Sequence, residues 1–373
     1  MRSALLIAAL LSIPFAQTQV QAADPARRFQ DVADVRLEAP AGFHINLFAE
    51  GLGTARFMAF DPRGRLMVCD MSGGRVLTLP DEDRDGVVDR VIVFARDLEI
   101  PHSIAWLAGK AYIAGDGRVI EFADADGDGA ADSSRVVIAN LPHGGEHVTR
   151  TIVFSPDGKH MFISVGSSSN ITPERDKRRA AILRFDADGR HQEVFATGLR
   201  NAVGLAFDPA TGQLWATDNG RDYLGDNLPP DELDIIVKGG FYGWPWYYGD
   251  NLPDPAFKTR PAPGIARALE LQAHSAPLGL CFYTGRQFPA EYRGDVFVCF
   301  HGSWNRSVPT GYKVVRVRVK GNRPVSYEDF VTGFLVGRER TGRPVDVKVG
   351  PDGALYFSDD SRGRIYRVTW QGG

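Results

Sequence analysis

The sequence predicts an all-β protein, built as a six-bladed β-propeller. One pattern recurs along it: a short apolar run, a turn rich in Pro, Asp and Gly, and a second apolar strand that ends in a small or acidic residue. Most copies are spaced by roughly 50 residues, a period that in an all-strand pattern is typical of propellers, where each repeat forms one blade. The longer periodicity of amphipathic helices is absent, which argues against α/β folds.

Six copies of the pattern predict six blades. They lie at residues 57–68, 104–113 and 152–158, around Asp208-Pro209, and at 280–298 and 347–357, the fifth being the most diverged. The fourth copy belongs to the stretch from Gly198 to Trp246, which also carries many polar residues at strand ends beside glycines. Such an arrangement suits a binding site on a rigid β scaffold, although an ordinary hairpin with polar turns would have the same composition.

The first residues have the composition of a secretory signal peptide. Arg2 precedes an apolar run, Ala4 to Ala16, and Val20-Gln21-Ala22 resembles a cleavage site. We therefore expect residues 1–22 to be a signal peptide, 23–38 a linker and 39–373 the propeller, in a periplasmic or secreted protein. An anchored or buried N-terminal helix is the alternative, but the apolar run is short for a bilayer, so no stable membrane insertion is expected.

Composition excludes some partners and redox chemistries. The formal net charge is -3 and there is no basic run, so nucleic acid is not an expected partner. The chain contains neither the glycine pattern of a dinucleotide-binding turn nor that of a P-loop. Its three cysteines, Cys69, Cys281 and Cys299, lie in apolar strand-like contexts, and we expect them to be small buried residues.

Two loops share the spacing D-x-D-x-D-G-x-x-D. The carboxylates are Asp81, Asp83, Asp85 and Asp89 in one loop and Asp124, Asp126, Asp128 and Asp132 in the other. Acidic residues at alternate positions, with a glycine to turn the chain, can place several oxygens around a hard cation. Because the closing glutamate of an EF-hand is missing, we predict calcium-binding hairpin loops that stiffen blades. Solvated acidic turns without metal are the alternative.

A histidine pair, His143 and His147, flanks two glycines and a glutamate. The spacing invites a zinc interpretation, but the glycines disfavour the helix that would turn both rings one way. A catalytic base is the sharper hypothesis, because a histidine can take a hydroxyl proton near neutral pH.

Cationic and amide residues recur at matching places in the blade pattern. Arg56, Arg200-Asn201 and Arg343 each precede or open a copy, and Arg306 follows the fifth. If the inner strands line a central funnel, these side chains converge at one mouth. Guanidinium groups meeting there would pair with and stack on a flat polyanion.

Several segments resemble the glucose/sorbosone dehydrogenase family. They are GEHVTRTIVFSPDGK, GLRNAVGLAFDP, DELDIIVKGGFYGWP, FHGSWNRSVPTGYKVVRV and GRPVDVKVGPDGALYFSDD, and the similarity runs from about Ala39 to the C-terminus. The resemblance implies a secreted six-bladed propeller that uses pyrroloquinoline quinone (PQQ) and Ca²⁺ to oxidise a sugar or a related alcohol or aldehyde. Electrons would then leave to a separate acceptor, a cytochrome or a quinone.

The resemblance also implies roles for individual residues. His147 matches the base that removes the substrate hydroxyl proton, and Arg200 and Asn201 match groups that hold the quinone and polarise it. Gly220 and Arg221 fall where backbone carbonyls coordinate the active-site calcium. Arg306 and Arg343 match, respectively, a contact to a cofactor carboxylate and an arginine that packs against the cofactor.

Two positions depart from the glucose-oxidising members. Ser167 stands where they place an aspartate that orients the base, and Val345 where they have a second arginine. The pattern is therefore nearer the sorbosone-dehydrogenase-like branch. Two other classes stay open at this point: a gluconolactonase-like hydrolase with a divalent metal in its channel, and a non-catalytic propeller that binds a glycan or a protein.

Overall fold

The computed structural model describes residues 27–372 and confirms the six-bladed β-propeller. Six antiparallel sheets are arranged around a central axis, and the first strand of each sheet contacts the first strand of the next. Within the described residues the one helical element is a 3₁₀ turn, Ala290–Tyr292. This part of the chain contains no helix with the length and apolar character needed to cross a membrane. The predicted signal peptide, residues 1–22, lies outside it.

The chain begins with a hairpin of two strands, β1 (Arg27–Val32) and β2 (Val35–Pro40). Leu37 is fully buried, and the backbone of Glu38 pairs with that of Thr332 near the end of the fifth blade. The predicted linker, residues 23–38, therefore folds as a strand pair over its described part. Its alternating pattern of buried and exposed side chains gives the reason, because one face of the hairpin covers the propeller core.

The next strand, β3 (Phe43–Ala49), belongs to the last blade, and three regular blades follow it. Blade 1 is β4 (Ala55–Phe60), β5 (Leu66–Asp70), β6 (Arg75–Leu79) and β7 (Ile92–Ala95). Blade 2 is β8 (Ser103–Leu107), β9 (Lys110–Gly115), β10 (Arg118–Ala123) and β11 (Ser133–Ile138). Blade 3 is β12 (Ile152–Phe154), β13 (His160–Val165), β14 (Ala181–Asp186) and β15 (Glu193–Thr197).

Blades 4 to 6 carry additional short strands. Blade 4 is β16 (Ala202–Phe207), β17 (Leu214–Asp218), β18 (Asp231–Ile236) and, as its outer strand, β22 (Leu269–Leu271). Three short strands lie between β18 and β22 in the chain: β19 (Gly240–Phe241) pairs in parallel with β15 of blade 3, and β20 (Tyr247–Tyr248) pairs with β21 (Leu252–Pro253). Blade 5 is β23 (Pro277–Phe282), β24 (Val296–Phe300), β25 (Lys313–Lys320) and β26 (Arg323–Val331). After the pair β27 (Leu335–Val336) and β28 (Glu339–Arg340), blade 6 is β29 (Pro344–Val349), β30 (Leu355–Asp359), β31 (Arg364–Trp370) and β3.

All six predicted sequence copies fall on the first two strands of a blade, which confirms their interpretation as blade signatures. The ring is closed by β3, which pairs antiparallel with β31 from Phe43 opposite Trp370. Joining an early strand to the last blade ties the two ends of the propeller together.

Acidic residues that end the second strand of a blade fix the segment before the first strand. In blade 4 the carboxylate of Asp218 accepts the backbone N–H groups of Arg200 and Asn201, at 2.9 and 2.6 Å. In blade 6 Asp359 accepts the N–H of Arg343 at 2.9 Å. Because the same contact holds Arg200 and Arg343 each just before the innermost strand of its blade, the two arginines occupy equivalent positions in the blade repeat.

The core lies between neighbouring blades, and a separate apolar cluster fills the centre. Phe57, Val203, Leu278 and Val345 meet on the innermost strands of four blades. All three cysteines are unpaired and buried, as predicted.

Candidate functional site

A cavity of about 480 Å³ lies where the innermost strands begin. Its volume falls within the range of small-molecule sites. Val203 and Leu278 of the central apolar cluster form part of its floor. Six residues selected from the sequence line it: Arg56, His147, Arg200, Asn201, Gly220 and Arg343.

His147 lies just before β12, and its ring is held in one tautomer. Nδ1 is 3.0 Å from the carbonyl oxygen of Ser167 and 2.9 Å from the Ser167 hydroxyl oxygen. The carbonyl can only accept, and the hydroxyl donates its own hydrogen to Ser169, so Nδ1 carries the proton. Nε2 is thereby left with a free lone pair, as a base requires.

Burial lowers the pKa of His147 to about 3, and the positive charge of Arg200 contributes in the same direction. The imidazole is therefore neutral over the whole physiological range. Backbone contacts also fix its position, since the carbonyl oxygen of His147 accepts a hydrogen bond from the fully buried Arg150 at 3.0 Å.

Gly166 lets the base approach the amide of Asn201. A Cβ at this position would lie 2.6 Å from Cβ of His147 and 2.7 Å from Oδ1 of Asn201. The side chains of His147, from blade 3, and Asn201, from blade 4, therefore lie on either side of a position where any side chain larger than that of glycine would collide with both.

Arg200 is saturated with protein contacts. Its five N–H groups find acceptors on Asn170 (backbone oxygen 3.2 Å, Oδ1 3.1 Å), Asn219 oxygen (3.3 Å), Gly220 oxygen (2.9 Å) and Asp222 Oδ2 (2.8 Å). Only the flat face and the charge of this guanidinium are left for a ligand. Arg200 therefore organises the loops of the cavity wall.

Arg343 differs from the other arginines of the cavity. Arg200 pairs with Asp222, and Arg56 with Asp360 at 2.8 Å, whereas Arg343 has no carboxylate partner among the described residues. Its guanidinium donates only to backbone oxygens of His301 and Gly302, both at 3.3 Å. Burial lowers the pKa of Arg343. A cation without a counter-ion makes this wall of the cavity attractive to an anionic ligand.

Two amides at the cavity keep unused hydrogen-bonding atoms. Oδ1 of Asn201 and Oδ1 of Asn305 are buried and have no partner within residues 27–372. The Nδ2 group of Asn305 donates to Asp222 at 2.9 Å. Buried polar atoms without partners are uncommon, so these atoms mark where a polar ligand would be bound.

A buried carboxylate also faces the cavity. Asp231 accepts the backbone N–H groups of Gly220 and Ala276, both at 2.9 Å. Burial raises its pKa to about 7. Burial likewise raises the pKa of Asp218 to about 7.

Two residues selected from the sequence have side chains outside the cavity lining. The guanidinium of Arg221 pairs with Asp254 at 2.8 Å, and that of Arg306 donates to Asn227 and to backbone oxygens of Ala273 and Val308. Arg306 thus joins two surface loops. Of the histidine pair, His143 is exposed and only His147 reaches the cavity.

Sequence reasoning missed residues that lie beside those it selected. Trp304 and Asn305 line the cavity, although the motif that contains them was used only to select Arg306. Tyr223 also lines it; its ring packs edge-on against Trp304, with centroids 5.6 Å apart. The two aromatic residues are 71% and 64% exposed, Tyr223 being the more open. The signal was available as large aromatics in polar loops, where no core explains them.

The two acidic loops lie away from this cavity. Within each, three carboxylates place oxygens within 4.8 Å of one another: Asp81, Asp83 and Asp89 in one loop, and Asp124, Asp126 and Asp128 in the other.

Comparisons with known proteins agree with this architecture. A family model described as "Domain of unknown function (DUF7133)" matches residues 31–371. An uncharacterised protein of Borreliella burgdorferi is 31% identical in sequence to this chain, and the alignment covers 90% of this chain and 91% of that protein. A solved Trichoderma reesei protein of Carbohydrate-Active Enzymes Family AA12 aligns with a TM-score of 0.79 and 24% identity, over 94% of this chain and 99% of that one, which supports the fold.

A relative with an assigned activity is the pyrroloquinoline quinone-dependent pyranose dehydrogenase of Coprinopsis cinerea. It is 26% identical over 89% of this chain. The chain spans about half of that enzyme, 54% of its length. The resemblance to PQQ-dependent sugar dehydrogenases is thus confirmed, while the sorbosone-like branch stays a prediction. The chain belongs to the family described as DUF7133, a family of unknown function whose propeller is shared with those dehydrogenases.

Proposed function

We propose that this protein oxidises a sugar, or a related alcohol or aldehyde, with PQQ as its cofactor and His147 as the base. The observation that carries the proposal is the convergence of a neutral imidazole with free Nε2, the unpaired cation Arg343 and the unpartnered amide Asn201 on one cavity. Relatives that are PQQ-dependent sugar dehydrogenases support the same chemistry.

The residues present fit a flat polyanionic quinone. Arg343 would pair with one of its carboxylates. The free Oδ1 of Asn201 would accept a hydrogen bond from an N–H or O–H group of the bound cofactor or substrate. Arg200, with its N–H groups engaged, would contribute charge and a stacking face while holding the wall through Asp222. When bound, PQQ supplies an electrophilic carbon that accepts hydride.

His147 would take the proton. Nδ1–H stays bonded to the Ser167 carbonyl, and Nε2 accepts the hydrogen of the substrate hydroxyl. Because burial and Arg200 hold the pKa of His147 at about 3, the ring is neutral at physiological pH and can accept a proton, but it is a weak base and binds that proton weakly. The proton would be held only while hydride leaves the same carbon, and would then pass to water.

A calcium ion beside the quinone is part of the proposal. The carbonyl oxygen of Gly220 lines the cavity wall, accepts one N–H of Arg200 at 2.9 Å and retains a second lone pair. That oxygen, with the backbone of Arg221, would supply hard ligands of the kind calcium prefers. The cation would share the oxygen with the guanidinium, whose charge Asp222 offsets.

The substrate class is a polyhydroxylated ring. Tyr223 and Trp304 present exposed aromatic surface at the cavity entrance, where the apolar face of a sugar can pack while its hydroxyls stay solvated. A non-catalytic glycan-binding propeller would use the same residues, so the decisive measurement is turnover. A lactone hydrolase with a divalent metal held by carboxylate and Asn ligands would instead show metal-dependent lactone hydrolysis without the quinone, and a turnover assay distinguishes it.

We further propose that the protein is exported and passes its electrons to a separate cytochrome or quinone. The composition of residues 1–22 supports export. N-terminal sequencing of the mature protein would test it, because cleavage after Ala22 places Ala23 first.

The function is tested by titrating quinone-free protein with PQQ, with and without Ca²⁺, and following the absorbance of the quinone. We expect saturable binding and, across a panel of aldoses and sugar alcohols, reduction of an artificial dye. The variant His147→Gln should bind the quinone and reduce the dye at least about 10²-fold more slowly. Absence of saturable binding would overturn the proposal.

A further inference from the structure

The two acidic loops share one pattern of hydrogen bonds between carboxylates and backbone N–H groups. In each, the first aspartate accepts the N–H of the glycine five residues later: Gly86 to Asp81 and Gly129 to Asp124, both at 3.1 Å. Two residues on, Asp83 and Asp126 each accept the N–H of the following aspartate, at 3.2 and 3.0 Å. Asp89 and Asp132 each accept a backbone N–H from the start of their loop. The sequence repeat is therefore also a structural repeat.

This arrangement leaves one buried oxygen unsatisfied in each loop. Oδ1 of Asp81 and Oδ1 of Asp124 are buried and have no partner within residues 27–372. The Asp124 side chain is only 5% exposed, so solvent does not replace the missing contact. Both atoms belong to aspartates whose oxygens come within 4.8 Å of the neighbouring carboxylates. A buried carboxylate oxygen without a partner is costly and neighbouring carboxylates add repulsion, and a cation bound among them would relieve both effects.

Side chains of the described residues supply no cation to the first loop, and in the second loop Arg63 and Arg65 lie against the backbone but leave Oδ1 of Asp124 without a partner. In the first loop Asp81, Asp83, Asp85 and Asp89 form no ion pair with any described residue; the one salt bridge joins Arg90 to Glu82. In the second loop Arg65 pairs with Asp124 through Oδ2, at 3.0 Å, and Oδ1 stays free. In each loop, three carboxylates whose oxygens lie within 4.8 Å of one another repel each other unless an ion is bound.

Each loop also joins its blade to the preceding one. The N–H of Val88 bonds to Phe48 oxygen on β3 of blade 6, at 2.9 Å, and the N–H of Ala131 bonds to Phe94 oxygen on β7 of blade 1, at 2.9 Å. Gly129 oxygen accepts from the Thr78 hydroxyl of blade 1 at 2.9 Å. The loops connect the third and fourth strands of blades 1 and 2, at the outer edge of the propeller and away from the cavity.

We propose that each loop binds one Ca²⁺ ion and that the two ions clamp blade 1 to blade 6 and blade 2 to blade 1. The carboxylates of Asp81, Asp83, Asp85 and Asp89 coordinate the first ion, and those of Asp124, Asp126, Asp128 and Asp132 the second. Backbone oxygens and water complete the shells, as calcium takes six to eight oxygens. The role is structural and independent of the oxidation chemistry.

The test uses Asp83→Asn and Asp126→Asn, singly and combined, in quinone-free protein with residues 1–22 removed. Both side chains are exposed and free of ion pairs, and asparagine keeps the oxygen that accepts the backbone N–H. Asp188→Asn is the control: it is an exposed aspartate in a turn of blade 3 that accepts the N–H of Arg190, and it differs in also pairing with the Arg190 side chain at 2.7 Å. Native mass spectrometry counts bound Ca²⁺, and thermal unfolding is recorded with Ca²⁺ or with a chelator.

We expect Ca²⁺ to raise the melting temperature of the parent protein by a few degrees. Each single variant should bind one ion fewer than the parent, and the double variant two fewer, with the calcium-dependent rise lost. In chelator the variants should be as stable as the parent or more so, because one repelling charge is gone. The Asp188→Asn control should retain the full count. A single variant that binds as many ions as the parent overturns the assignment for its loop. If the parent protein has the same melting temperature in Ca²⁺ and in chelator, the proposal that the ions hold neighbouring blades together is overturned.

Discussion

The Nδ1 atom of His147 lies 3.0 Å from a backbone oxygen, that of Ser167, in addition to 2.9 Å from the Ser167 side chain. The tautomer of the proposed base is therefore set by the main chain. The hydroxyl adds a second acceptor, since its own hydrogen goes to Ser169.

The Ser167→Ala variant should consequently stay active. It loses two hydrogen bonds, the one from Nδ1 of His147 and the one to the backbone oxygen of Ser169, while Nδ1 keeps the Ser167 carbonyl. Only the first acts on the base, with a net effect of about 0.5–1.5 kcal/mol, so kcat/KM should fall by about tenfold at most. The measurement is steady-state sugar oxidation with saturating PQQ, beside a melting curve to exclude unfolding. A loss of a thousandfold would mean that the hydroxyl, and not the carbonyl, orients the ring.

The protonation of His147 gives a test that does not need the cofactor. Because its pKa is lowered to about 3, the ring should stay neutral, with the proton on Nδ1, until the pH falls towards that value. In the unfolded chain the same ring titrates near 6.5, so below that pH its protonation favours unfolding. The ¹⁵N signals of labelled histidine, assigned by their absence in His147→Gln, report the state directly. A His147 signal that titrates near pH 6.5 would contradict the buried, neutral base.

The His147→Gln variant should also lower sugar-dependent dye reduction by a factor of about 10² to 10⁴, the usual contribution of a positioned base. Any inflection of the parent rate near pH 7 should survive in the residual activity of the variant. Such an inflection belongs to Asp218 and Asp231, whose pKa burial raises to about 7.

Arg343 and Arg306, both predicted cofactor contacts, can be told apart by affinity. Replacing Arg343 by Gln removes the cavity's unpaired cation without orphaning a carboxylate. PQQ binding should weaken by about 1.5–3 kcal/mol, roughly 10- to 150-fold. Arg306→Gln, outside the lining, should leave the affinity within about twofold. Fluorescence titration of each variant with PQQ makes the comparison, and equal losses would place Arg306 at the cofactor as well.

The fold was predictable because its signal is local. Most blades open with a hairpin whose apolar runs and turn residues lie close together in the chain, blade 5 having a longer connection between Phe282 and Val296, and the six hairpins are where the sequence indicates. The contribution of β3 to blade 6 was not predictable in this way, since β3 and β31 are separated by most of the chain and share no motif. The strand pair at residues 27–40 escaped notice for the same reason: its partner surface is near Thr332.

The sequence predicts a site residue only where the residue's place in the blade repeat determines its place in the propeller. Arg56, Arg200 and Arg343 recur at one point of the blade pattern, and rotation about the axis therefore brings them together. Tyr223 and Trp304 come from long loops whose course depends on contacts between blades. In that region Trp304 lines the cavity entrance, whereas the guanidinium of Arg306, two residues later, is held by hydrogen bonds to the surrounding loops and does not line the cavity.

The aromatic pair at the entrance should govern substrate affinity. Trp304→Ala removes exposed surface with no core contact, so stability should not change. Loss of one aromatic contact costs about 0.5–1.5 kcal/mol, which should raise KM for a sugar about 2- to 12-fold and leave kcat little altered. Val308→Ala, another exposed residue of the same loop, is the control. An unchanged KM in Trp304→Ala and in Tyr223→Ala would remove the aromatic pair from the substrate site.

Val345 accounts for a departure from the glucose-oxidising pattern. Its side chain is fully buried and packs with Phe57, Val203 and Leu278 beneath the cavity floor. An arginine placed there would meet no carboxylate within that cluster, and an unpaired buried charge costs several kcal/mol.

Val345→Arg should therefore lower the free energy of unfolding by at least about 3 kcal/mol, read from urea denaturation. Val136→Arg, at an exposed position of β11, should change it by less than about 0.5 kcal/mol. If the two variants were equally stable, the guanidinium of the introduced arginine would have to extend between Val203 and Leu278 into the cavity. The apolar floor would then be no barrier to a second cofactor contact.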